Sequence, residues 1–258
     1  MPKHGPAEVS SLSGVTPHRL LRFSISIVSH RSGALIPALL ADLRECIPAD
    51  SEILVTLNVP EDEAFLEPFA DLPLSVLRNP RQRGFGDNHN QAFAASRADY
   101  FVVVNPDIRL PASPFEKLVA GMAPEVGARA PVVLSPDGAV EDSIRRFPTF
   151  ARLARRVLLR QRSADYEVTG DTPRPIDWSA GMFVVFRRAA FQQIGGFDTR
   201  YFMYMEDADI CRRLRQAGYG VELVPGARVV HDAQRASHRS AEHMRWHLRS
   251  ALRFLAGI

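Results

Sequence analysis

"DYFVVVNPD", residues 99–107, decides how the rest of the chain is read. Tyr100 to Val104 are all aromatic or β-branched, and the run stops at Asn105, Pro106 and Asp107. A short apolar run bounded by turn residues is the pattern of a buried strand. Working back towards the N-terminus, "GDNHNQAFAASRA" predicts a helix and "LSVLRN" a strand. "EDEAFLEPFADL" predicts a short helix and "SEILVTLNV" a strand. "GALIPALLADLREC" predicts a helix with Pro37 in its first turn, and "RFSISIVSH" a first strand. Strands spaced by helices of this size imply α/β architecture, a parallel sheet with helices on both faces. A ligand then sits beyond the carboxyl ends of the strands. Those ends are His30, Asn58, Asn79 and Asn105–Asp107, so polar residues gather where a ligand should be.

The rhythm changes after about residue 112. "SPFEKLVAGMA" reads as a helix, "GARAPVVLSPDG" as a strand and turn, and "SAGMFVVFR" as a strand. "YFMYMEDADICRRLRQAGYG" (201–220) reads as a loop and helix, "GVELVP" and "RVVH" as strands, and a last helix begins near Ser240. Neither an internal repeat nor a low-complexity linker interrupts the chain. Residues 21–258 are therefore expected to form one domain: a ligand-binding half to about 112 and a divergent half over 113–258. Residues 1–20 mix Pro, Ser, Gly and His without an apolar centre and read as a loose leader.

With 258 residues, 46% of them hydrophobic, the chain can bury a proper core. Lys3 and Lys117 are its only lysines, so arginine supplies 30 of the 32 cations behind a net charge of +3. That bias is read either as genome composition or as a preference for the guanidinium fork that suits phosphate. Cys46 and Cys211 make neither a disulfide framework nor a zinc site, which fits a reducing cytoplasm. The longest apolar runs reach about a third of the length of a membrane-spanning helix.

Several residues could carry chemistry. Asp107, just past an apolar strand, could hold a divalent cation that neutralises a diphosphate, or could simply belong to an Asn-Pro-Asp turn. "RNPRQRGFGDNHNQAF" runs a Gly-rich loop into a helix, with Arg81, Arg83, Gly84, Asn88 and Asn90 at hand for a phosphate or sugar. Its glycine spacing is not that of a dinucleotide or P-loop fingerprint. Trp178, Ser179, Ala180 and Gly181 offer an aromatic wall and a close backbone approach. Glu206, Asp207 and Asp209 suit a helix start whose dipole is complemented later by Arg212, Arg213 and Arg215, with Gly218 as the stop. Alternatively, the same acids are the working end of an enzyme. His231 ends a strand beside other strand ends.

In this order and spacing, "NPDI", "WSAGMFVVFRRAAFQQIGGFDTRYFMYMEDADICRRLRQAGY" and "VVHDAQRASHRS" resemble the family 2 glycosyltransferases of the GT-A fold. The closest pattern is that of bacterial rhamnosyltransferase-like members that build surface polysaccharide. The resemblance covers about residues 23–256. It implies that Asp107 is the metal-binding aspartate, with Asn105 where a first aspartate often lies, and that Asp207 is the catalytic base with Glu206 beside it. It implies that His231 helps to hold the metal, Mg²⁺ or Mn²⁺, or the diphosphate. Trp178 and the turn to Gly181 would line the sugars, while Ser29, His30, Asn58, Arg83, Gly84, Asn90 and Asn105 would contact the donor. One departure stands out. The second strand of such proteins usually ends in an aspartate that reads the pyrimidine ring, and Leu57 occupies that place here. Asn58 or another nearby group must then serve.

The resemblance thus implies a metal-dependent, inverting glycosyltransferase that moves rhamnose from dTDP-rhamnose to a glycan or lipid-linked glycan. Two alternatives remain: the same fold with another donor, such as a UDP-sugar, or a non-catalytic scaffold that binds nucleotide-sugars. Residues 145–162 hold seven arginines and no acid, around a stripe of Phe150, Leu153, Ala154, Val157 and Leu158. The last helix sets Met244, Leu248, Leu252 and Leu255 beside Arg245, Arg249 and Arg253. Either these helices pack on the core or they meet an anionic membrane surface, which would place the protein in the cytoplasm at the inner membrane. Nucleic acid is not an expected partner, because no aromatic-basic platform accompanies the arginines.

Overall fold

The computed structural model describes residues 21–149, 165–232 and 241–257. Its frame is four parallel strands, β1 (Phe23–Ser29), β2 (Ser51–Leu57), β3 (Leu74–Arg78) and β4 (Tyr100–Val104), in the order β3-β2-β1-β4. Alternation along β1 explains why helices cover both faces. Phe23, Ile25 and Ile27 face the layer that includes helix α1 (Ile36–Cys46), which buries Ile36, Leu39, Leu40 and Leu43. Pro37 sits in the first turn of α1, where no intrahelical N–H is lost. Ser24 and Ser26 point the other way, and their small side chains let helix α2 (Phe85–Ala95) close onto the sheet. The Ser26 hydroxyl lies 2.8 Å from His89 Nδ1 on α2. Burial without a counter-charge pushes that histidine down to about 3, so it is a neutral core residue.

Beyond β4 the described elements are β5 (Ile108–Arg109), α3 (Phe115–Val119), β6 (Val126–Leu134), β7 (Ile144–Arg145), β8 (Arg174–Pro175), β9 (Trp178–Ser179) and β10 (Phe183–Arg187). They are followed by α4 (Arg188–Gln193), α5 (Glu206–Gln216), β11 (Gly220–His231) and α6 (Ala241–Ala256). The sheet continues β4-β10-β6-β11-β5, with β8 on β11, while β7 and β9 form a separate ribbon.

The sheet is mostly parallel, as expected, but β10 runs antiparallel to both β4 and β6. Three further expectations are corrected. The segment around Ala64–Phe69 is a 3-10 helix, and Pro68 lies inside it, where a proline cannot extend an α-helical ladder. "GVELVP" and "RVVH" belong to one strand, β11, whose register on β6 shifts between Val224 and Arg228. Helix α3 is only five residues long. The basic stripe from Phe150 to Leu158 lies outside the described residues.

Arg129 on β6 shows how the divergent half is pinned. Its buried guanidinium pairs with Glu222 on β11 at 2.9 Å and donates to the Ala120 carbonyl at 2.8 Å, tying the end of α3 to the sheet.

Candidate active site

Helix α5 starts from an unusual turn. Tyr204 and Met205 both adopt left-handed backbone, at φ 70° and 68°, without being glycine. Such conformations cost about 1 kcal/mol or more each and persist only where surrounding contacts impose them. Here they aim the first residues of α5, Glu206 and Asp207, at the segment before β10. Asp207 Oδ1 accepts the Ala208 N–H at 2.8 Å and Oδ2 accepts the Gly181 N–H at 3.3 Å. Asp209, by contrast, is buried in a fork of Arg212 and Arg213 at 2.8 and 2.7 Å. It serves the helix alone. At the far end Gly218, at φ +89°, stops α5 as its sequence position suggests.

The two leading carboxyls differ in electrostatics. Burial raises the pKa of both, and the charge of Asp207 lifts Glu206 further. Two backbone N–H groups and the Arg145 guanidinium favour the charged form of Asp207. Glu206 is buried, and its Oε2 has no partner among the described residues. Of the pair, Glu206 therefore holds its proton the more firmly and Asp207 gives its own up the more readily.

From Gly181 a short backbone path leads to the second acidic group. The next residue, Met182, accepts the Asn105 N–H at 2.8 Å, and Asp107 lies two residues on. Asp107 Oδ2 is 3.1 Å from His231 Nε2, and His231 Nδ1 is 2.8 Å from Glu141 Oε2. Pairing of β5 with β11 sets this register, His231 opposite Ile108. The two carboxylates, Asp107 first, hold the imidazole as a cation with a pKa raised to about 9. Asp107 Oδ1 is buried without a partner among the described residues. Among those residues no three His, Cys, Asp or Glu side chains form a ready ligand cage. That is the arrangement expected where one or two protein groups share a hard cation with substrate phosphates. Asp107 and His231 fit such an ion, provided His231 gives up its proton when the metal binds. Glu141 carried no sequence signal, because it sits after a featureless turn and is brought to the site by the Leu134–Val140 bridge and its own N–H bond to the Val133 carbonyl at 2.9 Å.

The proposed donor contacts sort into two groups. Asn58 is buried, but its amide works on the chain itself: Oδ1 accepts the Arg83 N–H at 2.7 Å and Nδ2 donates to the Arg83 carbonyl at 2.9 Å. Asn79 bridges Asn58 and Asn88 at 3.1 and 2.6 Å, completing a buried asparagine network that shapes the 80–84 loop. Asn90 also clamps the chain: Nδ2 donates to the Phe197 carbonyl at 2.8 Å and Oδ1 accepts the Phe197 N–H at 2.9 Å. Trp178 is likewise no open wall. It is buried beneath Arg145, and its indole N–H donates to the Arg146 carbonyl at 3.1 Å. Ser29 Oγ accepts the Ser32 N–H at 3.1 Å and orders the turn after β1. His30 is exposed, 3.3 Å from the Asn58 amide. The partly exposed Arg83 guanidinium is 3.2 Å from Asp87.

Gly84 joins this loop to the turn that leads into α5. Phe85 N–H donates to the Phe202 carbonyl at 2.9 Å, and a Cβ on Gly84 would stand 2.6 Å from that oxygen. Gly84→Ala must therefore push backbone against backbone. Urea unfolding should show a loss of about 1–3 kcal/mol, accompanied by reduced activity because Phe202 precedes Glu206 by only four residues.

A cleft of about 450 Å³ opens beyond the carboxyl ends of β1 and β2, lined by Arg31, Gly33, Ala34, Pro37, Glu61, Asp62 and Phe65. Glu61 Oε2 accepts the Gly33 N–H at 3.2 Å, while Oε1 is unpartnered among the described residues. The sequence reading missed Glu61. Its signal was an acid four residues after Leu57, the apolar residue standing where an aspartate was expected.

A doubly wound α/β sheet with carboxylates at its strand ends and an antiparallel extension has the GT-A architecture. The chain belongs to glycosyltransferase family 2: the family described as "Glycosyltransferase like family 2" matches residues 21–250. An N-acetylglucosaminyl-diphospho-decaprenol L-rhamnosyltransferase from Mycobacterium tuberculosis (strain H37Rv) is 36% identical over 169 residues, 61% of this chain and 55% of that protein. Rhamnosyltransferase WbbL of Escherichia coli K12 is 32% identical over 188 residues, 67% of this chain and 70% of WbbL. The chain thus spans little more than half of the mycobacterial relative. Among solved structures, GalNAc-T7 with UDP, GalNAc and Mn²⁺ has a TM-score of 0.70 at 17% identity, covering 93% of this chain and 48% of that one. Mannosyltransferase PcManGT from Pyrobaculum calidifontis, with GDP-Man and Mn²⁺, has a TM-score of 0.60 at 21% identity, over 92% of this chain and 66% of the other.

Proposed function

We propose that the protein is an inverting glycosyltransferase that moves rhamnose from dTDP-rhamnose onto a lipid-linked diphosphate glycan. The observation that supports it most is the backbone path from Asp207 through Gly181 and Met182 to Asn105 and Asp107, which ties a base to a diphosphate site. The 36% and 32% identities to proteins named as rhamnosyltransferases favour the sugar, and the decaprenol in the name of one favours a lipid-linked acceptor.

In this reading the ionised Asp207 accepts the proton of the acceptor hydroxyl as its oxygen attacks the anomeric carbon. Glu206, neutral and buried, keeps a second negative charge away from the attacking oxygen. Asp107 and His231 would hold the divalent cation, whose charge offsets that growing on the departing nucleoside diphosphate. Arg83 stands at the mouth of the loop shaped by Asn58, where a diphosphate would lie. The base falls in the cleft beside Glu61, whose free carboxylate oxygen can accept the imide N–H of thymine or uracil. This answers the departure at Leu57, since Asn58 is already engaged. Glu61→Gln is expected to raise the donor KM about tenfold with kcat nearly unchanged, the loss of one charge-assisted hydrogen bond. An unchanged KM would remove Glu61 from the site. Thermal-shift titration with dTDP-rhamnose, UDP-sugars and GDP-sugars in the presence of Mn²⁺ should show the largest stabilisation with dTDP-rhamnose. Equal, negligible shifts with all of them would overturn the donor assignment.

A further inference from the structure

Helix α6 is held to the catalytic turn by one face. Tyr204 hydroxyl is 2.7 Å from His243 Nδ1, Ser250 Oγ donates to the Met203 carbonyl at 2.9 Å, and the Phe202 and Trp246 rings are 4.8 Å apart. Farther along, Arg212 of α5 donates to the Phe254 carbonyl at 2.9 Å and lies over its ring at 4.2 Å. Three consecutive residues just before Glu206 and Asp207 therefore rest on this helix.

The other face is the most exposed apolar surface described. Met244, Leu248 and Leu252 are 71%, 60% and 56% exposed. At about 100° per residue they form one row, roughly opposite His243, Ser250 and Phe254, which face the domain. Arg245 and Arg249 are exposed along one flank of that row, and neither pairs with an acid among the described residues. The helix has one acidic residue in its sequence, Glu242, against three arginines. Leucines and methionine left in water beside arginines that have no acid partner among the described residues are the chemistry of a helix lying in a lipid headgroup layer. Among the described residues no helix is long and apolar enough to cross a membrane, so the contact is with a surface.

We propose that α6 lies flat on an anionic bilayer through Met244, Leu248, Leu252 and the flanking arginines, and so holds the Phe202–Met205 turn beside the lipid-linked acceptor. This deepens the function proposed above and takes from it only the lipid-linked acceptor. A second copy of the chain is a poorer occupant, because two such faces would set arginine against arginine, whereas phosphodiester headgroups neutralise each of them.

The test is co-sedimentation of the full chain with vesicles of equal parts phosphatidylglycerol and phosphatidylcholine, and with vesicles of phosphatidylcholine alone. The chain should sediment with the anionic vesicles and stay mostly in solution with the neutral ones. The triple variant Met244→Ser, Leu248→Ser, Leu252→Ser should bind about 100-fold more weakly at an unchanged melting temperature. Arg245→Gln with Arg249→Gln should abolish the preference for anionic lipid. Wild-type protein left in the supernatant, or a triple variant that binds as well as wild type, would overturn the proposal. So would a dimer in sedimentation velocity that the triple variant dissociates. Nucleotide release from dTDP-rhamnose, measured on the same sample without lipid, reads the transferase assignment separately.

Discussion

Asp207→Asn is expected to lower kcat for sugar transfer about 10³-fold, the usual share of a positioned base, while the donor still binds. Asparagine preserves the shape of the side chain, and its carbonyl oxygen can still accept a backbone N–H such as that of Ala208. What it loses is the basicity of the carboxylate, which takes the acceptor proton. Glu206→Gln provides the sharper contrast. Glu206 is buried and carries an oxygen with no partner among the described residues, and burial, then the charge of Asp207, push its pKa well up. An amide in its place should leave kcat within about threefold, the scatter of a nearly isosteric neutral replacement. The two variants are measured by steady-state kinetics, with circular dichroism to confirm folding. If Glu206→Gln were the inactive variant and Asp207→Asn the active one, the division of roles between the two carboxyls would be reversed.

Asp107→Ala should be nearly as damaging, with transfer falling by about 10²–10³-fold. It removes the free Oδ1 and releases His231, whose ring is now held between Asp107 and Glu141. The signature is loss of metal response. Wild-type activity should rise with added Mn²⁺ or Mg²⁺ and vanish in chelator, whereas the residual activity of the variant should be indifferent to both. A variant that kept a normal metal titration would show that the cation is held elsewhere. Fold stability should change little, because Asp107 is only partly buried in a turn whose backbone bonds do not involve its side chain.

The parallel half of the fold was legible because each of its elements is short, periodic and bounded by a turn residue. "DYFVVVNPD" became β4 and a turn, and Pro37 marked the start of α1. The antiparallel placement of β10 was not legible, since a buried apolar run such as "FVVF" looks the same in either direction. The break in β11 at Pro225 and Gly226 suggested two strands, although pairing with β6 resumes after a register shift. In the candidate site, acids at strand and helix ends were visible, and Asp107 and His231 do meet. The duties of amides were not visible. Asn58 and Asn90 look like ligand contacts in sequence, but their hydrogen bonds go to Arg83 and Phe197, partners that only the fold brings close. Glu141 escaped because nothing near it in sequence marks it, and Glu61 because its one sign, an acid four residues after Leu57, gains meaning only once the cleft is seen.

The most direct test of the account is transfer itself. Purified protein is incubated with dTDP-rhamnose, Mn²⁺ and a polyprenyl-diphosphate-linked N-acetylglucosamine, and the lipid product is examined by mass spectrometry. The account predicts an acceptor heavier by one rhamnose, in equal amount to the dTDP released, and none of it with Asp207→Asn. Unmodified acceptor and intact donor, across dTDP-, UDP- and GDP-sugars and with vesicles present, would contradict it.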